Sequence, residues 1–432
     1  MQTAQTSGSR ATCGRGGPYV QPGREPHRAP TPLAALATPL VTRTLLVALA
    51  LVVLGKAARY AGILPSVDLT DFDAFHIAGR MVWRGDIADA YHLPALLRVQ
   101  RTLTGNEAFL PWTYPPPFDL VVAGLALLPI SLAYLAFVGT TLAAYLLVLA
   151  RIAGPLFPVT LLALFPVLFI GVASGQNGFL TGTLIGLTGL GLLGGRTGAG
   201  VPLGLMVIKP HLAVGLGLCA LLMRRWACLA VAALVATLAA GLATAVLGLA
   251  IWPAFLRGVD EAKAFLAAGE YPLFRMVSVY AWLRSVGLAA PLALAAQMAT
   301  AMAALGLIGR ALQRRLPPRQ VVGLAALVSL LVSPYAYDYD LPLYGIALAL
   351  LLPDLLERAS RGEQITLLGL GWGAGGYGFV TNSVWGDIET APPVGVSFAA
   401  PILLVLLALI WRILRRGRPA EAVLPSAGPA AA

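Results

Sequence analysis

The sequence predicts an all-α, polytopic integral membrane protein. Three observations carry that class. Of 432 residues, 58% are hydrophobic and only 11% are charged, with a mean hydropathy of +0.80. A water-soluble domain carries about 25% charged residues, so there is too little polar surface here to cover one. Long runs at 45–54, 156–173 and 292–307 hold almost no charge and approach the roughly 20 apolar residues that a span requires. The basic residues behind the net charge of +11 stand in short clusters between such runs: Arg224 with Arg225, then from Arg310 to Arg319, Arg358 to Arg361 and Arg412 to Arg418. That is the positive-inside pattern of cytoplasmic loops, not a nucleic-acid groove, so no nucleic-acid partner is expected.

The elements follow in chain order. Residues 1–32, rich in Gly, Pro, Ser and Arg, read as a disordered cytoplasmic tail, and 417–432 as a second loose tail; residues 33–416 form the membrane domain. The first apolar stretch is longer than a signal-peptide core and lacks a small-residue cleavage site, which makes it an uncleaved span at about 34–56 leading outward. Residues 57–117 are then a first outer loop. Within it Phe72, Phe75, Ala78, Gly79 and Val82 recur at helical spacing and predict a short helix lying on the membrane surface.

Residues 118–150 return inward to Arg151, 156–174 lead out to the turn Gly175-Gln176-Asn177-Gly178, and 179–195 lead in to Arg196. Residues 199–222 are interrupted by Lys209-Pro210 and read as a hairpin returning to Arg224. Residues 227–251 reach a second outer loop, 252–288, followed by spans at 289–309, 320–333, 341–356, 364–380 and 395–411. The path has ten crossings plus the broken segment, or twelve if that segment goes across. It puts both termini and the Arg clusters inside, and Asp338, Asp340, Asp387 and Glu389 outside. An alternative stays open: a turn at Leu128-Pro129, combined with a single crossing by 199–222, would move the 175–178 turn inside.

Ionisable groups beside apolar spans are costly and therefore candidates for function. Three places on the outer side qualify. The stretch from Asp71 to Arg80 holds Asp71, Asp73, His76 and Arg80; an acid opening a helix either caps it or stands free to take a proton from a sugar hydroxyl. Lys209, with Pro210 and His211, brings a cation to a helix break, where it either neutralises a phosphate or snorkels to the interface. The stretch from Ser333 to Asp340 joins tyrosines, among them Tyr337, to Asp338 and Asp340; they form an ordinary interfacial belt or a sugar-binding set. Cys13, Cys219 and Cys228 have no motif spacing, and no Walker loop, dinucleotide fingerprint, nucleophile elbow or His cluster is present. Neither metal nor cofactor is expected.

Several of these short motifs, in this order, resemble glycosyltransferase family 87. They are Asp71-Phe72 with Phe75, Ala78 and Gly79, then Arg84-Gly85 and Ala90-Tyr91; Tyr114 followed by three prolines and Phe118; Leu127-Leu128-Pro129; Gly175-Gln176-Asn177; Gly204-Leu205 with Lys209-Pro210; and Ser333-Pro334 with Tyr339-Asp340. The resemblance covers about 34–350. It implies a GT-C-like fold of about 10–12 transmembrane helices with amphipathic helices in outer loops. It also implies a bacterial inner-membrane enzyme whose periplasmic site moves a hexose, mannose first, from a polyprenyl-phosphate donor to a glycolipid or glycan. On this resemblance Asp71 is the general base of an inverting displacement, with Asp73 as fallback. Lys209, then His211 and Arg275, assist the leaving phosphate, and Tyr114, Gln176 and Asn177 bind substrate. The sequence departs from the family pattern at Phe75-His76, where tyrosines are usual, and at His211-Leu212, where a further proline is common. Two other classes compete. A transporter or lipid flippase also suits broken helices with an intramembrane lysine, although no inverted repeat is apparent. An inactive relative serving as an envelope-assembly partner is the third.

Overall fold

The computed structural model describes residues 37–65, 69–385 and 395–416. Both tails, Cys13, Asp387 and Glu389 lie outside the described residues. Among the described residues there are helices and turns and no β-strand, as the composition predicts.

Helix α1 (Pro39–Tyr60) starts where the Thr38 hydroxyl accepts from the Val41 N–H at 3.2 Å, with proline at the first helical position. Leu51 and Leu54 on its flank are exposed, which suits lipid. Helix α2 (Asp71–Arg84) ends at Gly85 in the left-handed region, φ 81°. Its apolar face does not rest on an open surface, as the spacing suggested. Phe72, Phe75, Ala78 and Met81 are buried against α3 (Pro116–Leu125) and the rings of Tyr134 and Phe137. Gly79 permits this, since a Cβ there would collide with the Val122 carbonyl.

The expected single crossing over 118–150 is not one helix. The chain breaks after Leu125 and restarts beyond Pro129, which has no N–H to continue the ladder. The ten-residue α3 is about 15 Å long against a hydrocarbon core of about 30 Å, so it does not cross. Residues 130–153 then run as one rod ending in α4 (Thr140–Ala153), and α5 (Phe157–Ser174) returns. Helix α6 (Gly178–Leu193) follows the turn at Gly175, φ 69°.

The segment over 199–222 folds back on itself. Helix α7 (Gly200–Leu205) ends in a tight turn, Lys209 takes an extended φ of −147°, and α8 (Val214–Leu222) leads away. The two ends meet: a Cβ on Gly195 would stand 3.6 Å from an Arg225 guanidinium nitrogen. Lys209 is therefore the tip of a re-entrant hairpin. Gly200 and Gly204 seat α7 on α9 (Trp226–Leu247), and Gly215 seats α8 on α13 (Pro318–Ser329).

The stretch expected to be the second outer loop contains α10 (Ile251–Ala268) and α11 (Val279–Ser285). Helices α12 (Ala290–Gln313), α14 (Pro342–Arg358), α15 (Arg361–Trp385) and α16 (Ala399–Leu414) complete the bundle. Of the described helices, four stretches are long and apolar enough to cross a membrane by length and composition alone, among them α1, α9 and α12. Helices α13 and α14 are buried almost throughout and form the centre. One end of the bundle gathers basic residues: Asp354 pairs with Arg358 at 3.1 Å and Arg319 at 3.7 Å, and Arg358 donates to the Leu414 carbonyl at 2.8 Å. The 17-residue α14 puts about 25 Å between that end and Asp340.

Candidate functional site

Several separated pieces of chain converge on one cavity of about 270 Å³, near the lower bound of ligand pockets at about 300 Å³. Among them are the start of α2, the 109–115 loop, the 175–178 turn, the hairpin tip at Lys209 and the paired loops around Arg275 and Tyr337. The last two loops are tied by a bridge between Met276 and Tyr337 and by the Val277 N–H to the Ala336 carbonyl at 2.8 Å. Glycine brings the 175–178 turn against the tyrosine loop, since a Cβ on Gly178 would overlap the Tyr339 carbonyl oxygen.

The start of α2 separates its two acids. Thr70 is the N-cap, and Asp73 closes a capping box: its Oδ2 accepts from the Thr70 N–H at 2.7 Å, the Thr70 hydroxyl at 3.0 Å and the Tyr60 hydroxyl at 3.1 Å. The carboxylate of Asp73 is thus spent on the helix. Asp71, one position inside the cap, lines the cavity, and its Oδ2 lies 3.7 Å from an Arg275 nitrogen. That is an ion pair too long to be a hydrogen bond.

Two cations meet three carboxylates here. Lys209 Nζ donates to Asp340 Oδ1 at 2.7 Å, with side chains 8% and 2% exposed. Arg275 holds Asp338 with two donors, Nε at 3.2 Å and Nη2 at 3.1 Å, the fork geometry that suits a carboxylate. Burial pushes the Asp338 carboxyl above its ordinary value, and the Arg275 guanidinium pulls the other way. The Tyr339 ring lies 4.7 Å from Lys209 Nζ and 5.8 Å from the Arg275 guanidinium, and stacks on Tyr337 at 5.1 Å. Tyr114 donates its hydroxyl to Gln176 Oε1 at 2.7 Å. Burial raises the phenols of Tyr114, Tyr271, Tyr335, Tyr337 and Tyr339, which keeps them neutral. Chemically, the cavity offers a carboxylate held by a long ion pair, ammonium and guanidinium donors with capacity to spare, and aromatic walls. Among the described residues no three His, Cys, Asp or Glu side chains are grouped to hold a metal ion.

Of the residues singled out in the sequence, Asp71, Tyr114, Gln176, Lys209, His211, Arg275, Tyr337 and Asp340 line the cavity, and Asp338 stands behind Arg275. Four do not reach it. Asp73 caps its helix, and His76 points Nε2 at the Leu128 carbonyl, 3.1 Å away. Arg80 is exposed on the far side of α2, and Asn177 is fully buried next to Gln176 in the turn without lining the cavity. Sequence reasoning missed Trp112 and Tyr271, which form walls, while Tyr335 lies in the tyrosine stretch already marked. Only the proximity of Trp112 to the Tyr114 proline motif could have flagged either.

The profile of glycosyltransferase family 87 matches residues 112–334, just over half of the chain. The matched stretch holds Tyr114, Gln176, Lys209, His211 and Arg275; Asp71 precedes it and Asp340 follows it. No curated protein and no solved structure matches the chain.

Proposed function

We propose, from the premise that the chain belongs to glycosyltransferase family 87 and is a membrane glycosyltransferase, that it transfers a hexose, mannose first, from a polyprenyl-phosphate donor to a glycolipid or glycan acceptor. The observation that carries this reading is the division of labour at α2. Asp73 takes the capping role, which leaves the Asp71 carboxylate free in the same cavity as Lys209 and Arg275.

The reaction is a single inverting displacement. The Asp71 carboxylate accepts the proton of the acceptor hydroxyl, whose oxygen forms a bond to the anomeric carbon. The bond from that carbon to the phosphate oxygen breaks, and its electron pair leaves with polyprenyl phosphate. A positioned base contributes about 10²–10⁴-fold. Charge growing on the phosphate needs fixed donors in a low-dielectric site. An ammonium has three donors and Lys209 gives one of them to Asp340, so it is the first candidate, with His211 and Arg275 beside it in the wall. Gln176 and Tyr114 are placed to bind hydroxyls of either sugar.

The basic end formed by Arg319, Arg358 and the end of α16 lies at the opposite end of α14 from Asp340. Under the positive-inside rule that arrangement supports a cavity on the outer side, which in our reading is the periplasmic side of a bacterial inner membrane. The test uses the purified protein in vesicles with a labelled polyprenyl-phosphate sugar and lipid acceptors. Asp71→Asn, at normal expression and folding, loses at least about a hundredfold of the transfer. Unchanged transfer would overturn the assignment, and label crossing the bilayer without covalent attachment would identify a transporter instead.

A further inference from the structure

Behind the aromatic wall lies an acid that the reaction above does not use. Asp119, in α3, is fully buried. Its Oδ1 accepts the Trp112 indole N–H at 2.9 Å, and its Oδ2 lies 2.9 Å from the Tyr91 hydroxyl oxygen. That same hydroxyl oxygen lies 2.8 Å from the carbonyl oxygen of Tyr114. Among the described residues no Lys, Arg or His pairs with this carboxyl; its partners are a phenol and an indole. An isolated buried carboxylate is expensive unless it is paired or neutralises.

Counting protons favours the neutral form. Two short oxygen–oxygen contacts run in a row, from the Tyr114 carbonyl to Tyr91 and from Tyr91 to Asp119. A phenol has one hydrogen and a carbonyl none, so an ionised carboxyl leaves that single hydrogen shared between two acceptors, whereas a hydrogen on the carboxyl gives each contact its own. The chain of donation then runs from Asp119 Oδ2–H to Tyr91 and from the Tyr91 hydroxyl to the Tyr114 carbonyl, while Asp119 Oδ1 receives the Trp112 N–H.

We propose that Asp119 is held as a neutral carboxylic acid and acts as the positioning residue of the cavity wall, fixing Trp112 directly and the Tyr114 backbone through Tyr91. Both wall residues line the cavity, and Tyr114 passes the order on to Gln176. The consequence for catalysis rests on the reading of that cavity as the active site; the protonation state does not. Asparagine offers the same pattern, with Oδ1 accepting from Trp112 and Nδ2 donating to Tyr91. Alanine removes both bonds and leaves the buried Trp112 N–H without its acceptor and the Tyr91 oxygen without its donor.

The test combines spectroscopy and kinetics on the full-length protein in lipid. The infrared difference between unaltered protein and Asp119→Asn at neutral pH shows a protonated-carboxyl C=O band lost in the variant. Asp119→Asn retains transfer close to that of the unaltered protein, whereas Asp119→Ala raises KM by about tenfold or more, as expected for orphaned buried polar groups, with a smaller change in kcat. A carboxylate band in place of the protonated one overturns the proposal, as does an Asp119→Asn protein that folds yet is as impaired as Asp119→Ala. Should Asp71→Asn retain full transfer, the reading of the cavity falls, and the infrared result still decides where the proton is.

Discussion

The pair formed by Lys209 and Asp340 provides the sharpest test of the site's geometry. The two charges are 2.7 Å apart, with side chains 8% and 2% exposed, so neither keeps much water when its partner is removed. Breaking a buried pair by deleting one member costs about 3–5 kcal/mol, because the survivor is left charged and unsolvated, whereas replacing both members is far less costly. Lys209→Met leaves Asp340, among the described residues, with the Tyr337 N–H at 3.2 Å as its hydrogen-bond donor. Asp340→Ala leaves the ammonium facing the Tyr339 and Tyr114 rings at 4.7 and 5.7 Å, contacts worth about 0.5–2 kcal/mol and too weak to replace the carboxylate. Each single variant is expected to lose about 3 kcal/mol or more of stability. The double variant is expected to lose less than the sum, with a coupling of about 2–3 kcal/mol, at the upper end for touching residues. Unfolding of the four proteins in lipid nanodiscs, followed by denaturant titration, completes the cycle. Strictly additive losses, or single variants each within about 0.5 kcal/mol of the parent, the range of neutral surface substitutions, would refute a desolvated pair at the hairpin tip.

Three further outcomes follow from the same contacts. Asp73→Asn weakens the cap of α2 by about 1 kcal/mol and lowers the melting temperature while sugar transfer persists, the reverse of Asp71→Asn; loss of transfer at full stability would exchange the two roles. Gly178→Ala forces a methyl group onto the Tyr339 carbonyl and destabilises by about 1–3 kcal/mol, read as a fall in melting temperature, whereas Gly217→Ala, where nothing lies within 4 Å, serves as the matched control. Arg275→Lys keeps the charge but loses the two-donor grip on Asp338; transfer falls about tenfold or more, and a variant with full activity would show that the fork is dispensable.

The sequence by itself determined the class of the molecule, because apolar length and charge scarcity act locally and need no partner to be recognised. It also marked the re-entrant break, since Lys209-Pro210 cannot continue a helix whatever surrounds it, and the fold-back is seen where Gly195 meets Arg225. At α3 its first reading, a single span, gave way to the alternative it had left open, a turn at Leu128-Pro129, because hydropathy averages over ten-residue helices and cannot choose between the two. Tertiary structure alone decided between Asp71 and Asp73. Two residues apart on a helix, they point about 200° from one another, so which one caps and which faces the cavity depends on the helix beginning after Thr70 rather than elsewhere. Residues whose partners lie far along the chain were beyond local reading as well. Lys209 finds Asp340 across 131 positions and Arg275 finds Asp338 across 63, and such pairings exist only once packing has brought the loops together.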